Sequence, residues 1–368
     1  PSLAGFFRTF EQINPDQAGY RWGYHKPVML AGGMGQLCTD VIDKAALPVG
    51  SPLVVLGGPA LLVGLGGGAV SSQQTVSNAT AHASVQRSNP EMQRRCQAVI
   101  NACWMLDAHN PILSIHDVGA GGLANAIPEL VHEAGRGCVV QLESIPVAQT
   151  GMSALEIWCN ESQERYVLAV AVDQLAIFMD CANAEQCPYA VVGTVTEASR
   201  VVLEGPTVDT FYVDLPMDIL FKDPPREVFE RQSVQRTLQH WPEQSWDLET
   251  MAQQVLQHPT VADKSFLITI ADRSVGGCVV RDQMVGPWQV PVADHAIVAS
   301  GFKGYEGAAM AIGERLPVAV DHPAAAARLA VAEAITNIAA VEIGPIDQIK
   351  CSANWLADGA DADRLNDL

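Results

Sequence analysis

Apolar residues follow two alternating patterns along residues 26–220, short continuous runs and runs with helical spacing. The segments PVMLAGG (27–33) and PLVVLGG (52–58) are apolar runs closed by glycine pairs, a pattern typical of buried strands. Residues 88–106 begin with Ser-Asn-Pro and keep apolar side chains at positions 92, 96, 99, 103 and 106, which predicts a capped helix. The alternation of strand and helix patterns predicts an α/β domain.

The same alternation continues further along this region. Residues 112–115 (ILSI) predict a strand, and residues 123–131, with apolar positions at helical spacing, predict a helix. Residues 165–195 read as a strand, a helix and a second strand. The glycine-rich turn between 115 and 123 is longer than a strand–helix connection requires, so it is a candidate for function.

A change of composition divides the chain. Residues 221–246 are charged and contain the adjacent Pro224 and Pro225, which is typical of a linker. The predicted organisation is therefore a loop-like tail of a preceding domain, a first domain, a linker and a second domain, at residues 1–26, 27–220, 221–246 and 247–368. In the second domain we expect a short helix, followed by a strand at 265–270, a long alanine-rich helix at 323–341 and a strand at 347–355.

Composition and charge exclude several classes of protein. The chain of 368 residues is 48% hydrophobic and has a net charge of -19, which argues against binding to nucleic acid. Its most apolar run, 53–70, is interrupted by glycines and a proline, so no membrane span is predicted. Nine cysteines without C-x-x-C spacing indicate reduced thiols and a cytoplasmic protein rather than disulfides or zinc sites. Because the chain starts without Met and stops at the first turn of a predicted helix, we interpret it as part of a longer polypeptide.

Glycine-rich turns supply the first candidate chemistry. The run Gly64-Leu65-Gly66-Gly67-Gly68 exposes backbone N–H groups that suit a phosphate, although such a run is more often only a turn. In HDVGAGGL, Asp117 stands at a strand end beside glycines. An acid in that position either caps the turn or binds Mg²⁺ next to a phosphate, and the pattern leaves both interpretations open.

Two polar groups lie in apolar surroundings. Residues 160–164 (NESQE) separate an apolar segment from a strand and offer many donors and acceptors, although an ordinary polar loop explains them equally well. Glu333 and Asn337 are four residues apart and share one face of the predicted alanine-rich helix. With Asp294, they would form an all-oxygen Mg²⁺ set, so we expect these three side chains to converge.

Several segments together resemble the large, single-chain phosphoribosylformylglycinamidine synthases in order and spacing. The segments are KPVMLAGGMG, VVLGGPALLVGLGGGAVSS, SVQRSNPEMQRRC, HDVGAGGLANAIPELV, LEIWCNESQERYVLAV, RDQMVGPWQVPVAD and EAITNIAA. The resemblance covers nearly the whole chain. It implies an α/β (α+β) fold, with a B half like that of aminoimidazole ribonucleotide synthetase, followed by a partial A half with a mixed sheet.

The resemblance implies an activity and its ligands. The family converts formylglycinamide ribonucleotide, glutamine and ATP to formylglycinamidine ribonucleotide in purine biosynthesis. ATP activates the amide oxygen as an iminophosphate, and ammonia displaces phosphate. The implied cofactors and partners are ATP or ADP, Mg²⁺, formylglycinamide ribonucleotide, and ammonia from a glutaminase domain outside this chain.

Site residues are implied position by position. Glu161, Ser162 and Gln163 match a substrate-contacting triplet, and Gln86 matches a further substrate contact. Asp117 matches a metal ligand of the catalytic site. The remaining matches belong to a second, auxiliary nucleotide site: Mg²⁺ ligands Asp294, Glu333 and Asn337, and the nucleotide contact Ala293.

The resemblance names no catalytic residue within the chain. The family's catalytic His, Lys and Mg²⁺-binding acids of the first A half precede Pro1, so the chain alone is predicted to be inactive. The alternatives are a related synthetase or kinase, of the aminoimidazole ribonucleotide synthetase, selenophosphate synthetase or thiamine monophosphate kinase type, and a non-catalytic nucleotide-binding scaffold.

Overall fold

The computed structural model describes residues 2–13, 21–23, 28–35, 37–44, 46–65, 89–207, 209–222, 245–258, 261–263, 265–266, 277–320 and 322–355. The strands in chain order are β1 (Ser2–Arg8), β2 (Glu11–Ile13), β3 (Arg21–Gly23), β4 (Val28–Gly33), β5 (Pro52–Gly57), β6 (Ile112–Asp117), β7 (Gly137–Gln141), β8 (Arg165–Val170), β9 (Tyr189–Thr196), β10 (Arg200–Glu204), β11 (Phe211–Pro216), β12 (Val279–Arg281), β13 (His295–Ala299) and β14 (Gly307–Ala311). The helices are α1 (Pro90–Trp104), α2 (Leu123–His132), α3 (Ala154–Trp158), α4 (Leu175–Ala184), α5 (Met217–Phe221), α6 (Leu248–Gln257), α7 (Leu316–Ala319) and α8 (Pro323–Ile338).

The chain forms two compact units. One contains residues 37–226, and the other combines residues 1–36 with residues 227–368. The predicted domain limits of 27–220 and 247–368 stay predictions, and most of the predicted linker, residues 223–244, lies outside the described residues.

The unit of residues 37–226 is built on a seven-stranded mixed sheet with the order β11-β10-β7-β9-β5-β8-β6. The β10–β7 pair is parallel, and the other neighbours are antiparallel. The strand β5 lies inside the sheet, between β9 and β8, and all of its residues are buried. A strand that is covered on both faces needs apolar side chains at every position, which explains its uninterrupted apolar run.

Side chains on β5 and β8 alternate between two cores. Leu53 and Val55 belong to the larger core with α2, whereas Val54 and Leu56 belong to a second core with α1 and α4. On β8, the odd-numbered positions from Val167 face the larger core and the even-numbered ones the second. Because successive side chains of a strand point to opposite faces, helices cover both faces of this sheet.

The other unit contains smaller sheets. The strands β1 and β4 pair antiparallel, as do β2 and β3, and β12, β13 and β14 form a three-stranded antiparallel sheet. The helix α8 approaches the end of β14 closely, because a Cβ built on Gly313 would lie 1.9 Å from the carbonyl oxygen of Ala330. A side chain at 313 would therefore separate the helix from the sheet.

The predicted elements of the first region are confirmed. Strands β4, β5, β6, β8 and β9 and helices α1, α2 and α4 form at the expected segments, as do α6 and α8 in the second region. The mixed α/β fold predicted from the resemblance is confirmed as well.

Three local predictions are wrong within the described residues. Residues 1–26 are predicted to be loop-like, but residues 2–8 form β1, which finds a distant antiparallel partner in β4. Residues 349–355 form no strand, and no described strand pairs with them; they follow a short 3-10 turn at Ile346–Gln348. Of the predicted strand 265–270, residues 265 and 266 are helical, and the rest lies outside the described residues.

Candidate functional site

Three loops meet at one end of the sheet in the unit of residues 37–226. They follow β5, follow β6 and precede β8, three neighbouring strands of the sheet. Register places Gly57 at the end of β5 and Asp117 at the end of β6 opposite the first two residues of β8. Antiparallel pairing of β8 with both neighbours brings these loops together.

The loop before β8 is bonded to the loop after β5. The backbone N–H of Glu161 donates to the carbonyl of Val63 at 2.8 Å, and Gly58 N–H donates to the carbonyl of Glu164 at 3.1 Å. The N–H of Leu61 donates to the hydroxyl oxygen of Ser162 at 2.8 Å. Backbone groups of both loops are thus satisfied by each other, which fixes their separation.

Glu161 connects this pair of loops to the third one. Its carboxylate Oε1 accepts a hydrogen bond from the N–H of Gly121 at 3.1 Å, although the residue is only 5% exposed. A Cβ built on Gly64 would lie 2.4 Å from the Glu161 Oε2 atom, and one built on Gly122 would lie 2.1 Å from the carbonyl of Asn160. Both glycines have positive φ. The extra glycines therefore permit close packing of three loops around one buried acid.

Ser162 and Gln163, the other members of the predicted triplet, differ in their surroundings. Ser162 is buried, and its hydroxyl donates to Asn160 Oδ1 at 2.6 Å. Gln163 is half-buried, and its side-chain amide donates to the carbonyl of Glu161 at 2.8 Å. All three residues of the triplet thus lie at the junction of the loops, and Gln163 is the most accessible of them.

The His-Asp pair at the end of β6 divides into two environments. The Asp117 side chain is 79% exposed, and its Oδ1 lies 3.9 Å from His116 Nδ1. His116 lies 2.8 Å through Nε2 from Glu129 Oε2 on α2, and its Nδ1 lies 2.6 Å from the Asp117 carbonyl. The imidazole therefore joins the strand end to the helix, while the carboxylate of Asp117 remains available to a ligand from solvent.

The second predicted site lies in the other unit, at the end of the β13–β14 pair. Asn337 donates from Nδ2 to the carbonyl of Ile312 at 3.1 Å. Glu333 accepts from the N–H of Glu314 at 2.8 Å and from Arg315 Nη1 at 2.5 Å. These contacts hold one face of α8 against the segment that leaves β14.

Asp294 and Ala293 lie at the same end of this sheet. His295 pairs with Ala311, so Asp294, one residue earlier, comes opposite the segment that Asn337 and Glu333 contact. Asp294 is exposed, and the N–H of Ala293 donates to the carbonyl of Gln283 at 3.2 Å. The expected convergence of the three side chains stays a prediction, and the carboxylate of Glu333 is already paired with Arg315.

Arg165 is a site residue that the sequence analysis missed. It is 2% exposed and donates to the carbonyl of Ser162 and to Asn160. It shares the period-two face of β8 with Val167 and Ala169, which belong to the larger core. The sequence did contain a signal for this residue. A charged side chain stands at the start of an apolar strand, at a position on the same alternating face as buried core residues.

Some of the predicted site residues cannot be placed in the structure. Gln86 and Gly66–Gly68 lie outside the described residues.

Within the part of the chain that the structure describes, no three His, Cys, Asp or Glu side chains are grouped as a metal site. All nine cysteines are free. The helices of the described segments are too short or too polar to cross a bilayer.

Comparison with protein families identifies two domains. Residues 48–205 match the AIR synthase related protein, C-terminal domain, and residues 263–367 match the FGAR-AT PurM_N-like domain. Both belong to the PurM-like superfamily of ATP-dependent enzymes. The chain thus carries a C-terminal-type domain followed by an N-terminal-type domain of that superfamily.

Solved structures share the fold at low identity. PurLQS from Thermotoga maritima is 19% identical with a TM-score of 0.57, covering 82% of this chain and 44% of that chain. T. maritima PurL complexed with FGAR is 19% identical with a TM-score of 0.54, covering 86% and 46%. T. maritima PurL complexed with ATP is 17% identical with a TM-score of 0.56, covering 84% and 44%. The chain spans less than half the length of these relatives.

Proposed function

We propose that this chain forms part of a phosphoribosylformylglycinamidine synthase and that its loop junction binds formylglycinamide ribonucleotide. The observation that carries the proposal is the position of Glu161, Ser162 and Gln163, where the loops after β5 and β6 meet the loop before β8. The order of the two superfamily domains supports it. A carboxylate and an amide at a glycine-lined junction are suitable partners for hydroxyl, amide and N–H groups of such a ligand.

ATP and Mg²⁺ belong to the same proposal. Phosphoryl transfer depends mainly on positioning and on neutralising charge, which bound Mg²⁺ supplies. The exposed carboxylate of Asp117, beside backbone N–H groups of a glycine turn, has the oxygen chemistry that this ion prefers. Within this chain, Asp117 would hold the ion while Glu161 and Gln163 hold the ribonucleotide. Ammonia would come from a glutaminase domain outside the chain.

Calorimetric titration of the chain with formylglycinamide ribonucleotide tests the proposal. Replacing the carboxylate by an amide in Glu161→Gln removes its negative charge, and we expect at least tenfold weaker binding. Glu143→Gln changes an exposed acid elsewhere in the same unit and should leave binding unchanged. The proposal fails if the unaltered chain shows no binding, or if both variants bind as it does.

Turnover provides a second measurement. With ATP, Mg²⁺, formylglycinamide ribonucleotide and ammonia supplied, we expect the chain alone to release no phosphate at enzymatic rates, which lie on the order of 1–10³ per second. Phosphate release at such rates would show that residues of this chain suffice for catalysis.

An auxiliary Mg²⁺–nucleotide site at the end of the β13–β14 pair is the second part of the proposal. Asp294, Glu333 and Asn337 belong to one end of this sheet and carry oxygen atoms of the kind that a hard cation prefers, which supports the proposal. Arg315 now neutralises Glu333 and would have to release it. Ala293 would lie against the nucleotide.

Titration with Mg²⁺ and ADP tests the auxiliary site. Asp294→Asn should weaken binding at least tenfold, whereas Arg315→Gln, which removes the competing cation, should strengthen it. If Asp294→Asn has no effect, the site does not use this ligand. Binding of ADP without any binding of formylglycinamide ribonucleotide would favour the nucleotide-binding scaffold instead.

A further inference from the structure

Arg165 holds the backbone carbonyls of the two residues next to Glu161. Its Nη2 donates to the carbonyl of Asn160 at 3.2 Å, and its Nε donates to the carbonyl of Ser162 at 3.2 Å. One planar guanidinium therefore fixes two peptide planes of the loop, those of residues 160–161 and 162–163. The orientation of Glu161 in its loop depends on a side chain that begins β8.

Asn160 completes this buried group. Its Nδ2 donates to the carbonyls of Glu156 and Ile157 in α3, at 2.8 and 2.7 Å. Its Oδ1 accepts from Arg165 Nη2 at 2.8 Å and from the Ser162 hydroxyl at 2.6 Å. The residue is fully buried, so its amide is occupied by the protein and ties the loop to a helix end.

The hydroxyl of Ser162 is occupied as well. It donates to Asn160 and accepts from the N–H of Leu61, and the residue is 2% exposed. A hydroxyl has one donor, so Ser162 could donate to a ligand only by giving up its bond to Asn160. Glu161 and Gln163 have side chains that can meet a ligand without breaking this group.

The charge of Arg165 is unusual for a purely structural role. No carboxylate lies within ion-pair distance of it among the described residues, and its Nη1 has no hydrogen-bond partner there. Burial lowers the pKa of Arg165 to about 10, so the side chain stays cationic at neutral pH. Among the described residues this buried cation has no anion, which is costly, and its positive field lies behind a loop proposed to bind an anionic ribonucleotide.

We propose that Arg165 and Asn160 are positioning residues that preset the loop for a phosphorylated ligand. In this arrangement Glu161 and Gln163 contact the ligand, and the Ser162 side chain only holds the loop. The ligand part of this inference rests on the proposed function, whereas the positioning part concerns the ligand-free chain and can be tested separately.

Two substitutions of Arg165 separate geometry from charge. Arg165→Lys keeps the charge but loses the planar fork, and Arg165→Met keeps most of the volume but loses both. We expect exchange of the Glu161 and Leu61 amide hydrogens with solvent to accelerate at least tenfold in both variants. Affinity for formylglycinamide ribonucleotide should fall at least tenfold in both, with the larger loss in Arg165→Met.

Val170→Ala is the matched control. Val170 is buried in the second core at the other end of β8, so its truncation destabilises the same strand at a distance from the triplet. Exchange at Glu161 and Leu61 should stay close to that of the unaltered chain. Equal acceleration in Val170→Ala and Arg165→Lys would overturn the positioning role, because general destabilisation would explain both.

Ser162→Ala keeps the inference testable if the Arg165 variants do not fold. We expect this variant to lose protection at the Leu61 amide and to lose less affinity for formylglycinamide ribonucleotide than Glu161→Gln loses. A loss as large as that of Glu161→Gln would overturn the assignment of roles within the triplet. If the unaltered chain binds no ribonucleotide, the proposed function fails, and amide exchange still decides whether Asn160, Ser162 and Arg165 position the loop.

Discussion

Two glycines of this protein are important because the lack of a side chain lets neighbouring backbone segments approach closely. Glu161 is buried at the contact of three loops, and Gly64 and Gly122 are the positions at which those loops touch its segment. Each combines a positive φ with a close approach, so the backbone conformation and the lack of a side chain matter together.

The effect of a side chain at Gly64 can be measured against Gly135. The two residues have nearly equal φ values, 69° and 67°, but a Cβ at Gly135 meets nothing within 4 Å. Gly135→Ala should cost about 1–2 kcal/mol of unfolding free energy, the strain of a left-handed residue. Gly64→Ala should cost that amount and about 1–3 kcal/mol more for the collision with Glu161.

Chemical denaturation of both variants gives these values. Equal losses in the two variants would mean that Glu161 moves away without cost. In that case, the loops are not packed as tightly around this carboxylate as the structure indicates.

At the scale of secondary-structure elements, short helices and strand ends determine where the site loops lie. The helix α3 has only five residues, yet its last carbonyls bind Asn160 and its first turn is held by a capping box between Ser153 and Glu156. A helix of this length is only marginally stable by itself, and its caps therefore contribute much of its stability.

Acid should weaken this helix. The hydrogen bond from the backbone N–H of Ser153 holds the pKa of Glu156 below its usual value, and the Ser153 hydroxyl lowers it further. A carboxyl whose pKa is lower in the folded state stabilises it above the unfolded pKa, and this stabilisation is lost as the pH falls through the folded pKa. Glu156→Gln should therefore destabilise the chain at neutral pH and have little effect at pH values below the folded pKa.

Urea unfolding across the acid range checks this expectation, with Glu143→Gln as the control for an exposed acid outside a capping box. A constant difference between Glu156→Gln and the unaltered chain at all pH values would contradict the role of the carboxylate charge.

The helix α1 and the segment before β9 should be close enough to cross-link. The Cys96 and Cys187 sulfur atoms lie 3.7 Å apart, and the hydrogen bond from Cys96 lowers the pKa of Cys187. A diazene oxidant such as diamide accepts the two thiol hydrogens and is reduced to a hydrazine, leaving a disulfide. We expect peptide mapping by mass spectrometry to find this Cys96–Cys187 bridge.

Two variants control the cross-linking. Cys96→Ala should abolish the bridge. Cys138→Ala should retain it, because Cys138 lies in the other core, where burial raises the pKa of its thiol to about 12. Bridges that join Cys187 to other cysteines, with none to Cys96, would contradict the packing of α1 against this segment.

At the scale of the whole molecule, the unit of residues 37–226 has the properties of an independent domain. Helices cover both faces of its sheet, and its two cores contain residues from within the unit. The other unit is made of two separate stretches of chain, so only the first can be expressed as one continuous segment.

The segment 37–226 should therefore fold alone and unfold in one cooperative transition. A segment ending at residue 205, close to the limit of the family match, should be less stable. It lacks β11, which pairs with β10, and Met217, which is fully buried in the larger core. Thermal unfolding followed by circular dichroism compares the two, and equal midpoints would show that β11 and α5 contribute little.

The sequence by itself determined the elements whose patterns are local. The strands β5 and β8 show as continuous apolar runs, because a strand that is buried on both faces needs apolar residues at successive positions. The helices α1 and α2 show as apolar residues at helical spacing. Neither pattern needs a distant partner to be recognised. Combined motifs also indicated the superfamily and the polar segment 160–164. Only the tertiary structure decided what depends on distant partners. The segment of β1 became a strand because β4 pairs with it, whereas residues 349–355 form no strand because no described strand pairs with them.

The same holds at the site. Whether Ser162 or Gln163 can meet a ligand depends on Leu61 and Asn160, and the role of Arg165 depends on carbonyls whose directions are fixed only when three loops pack together.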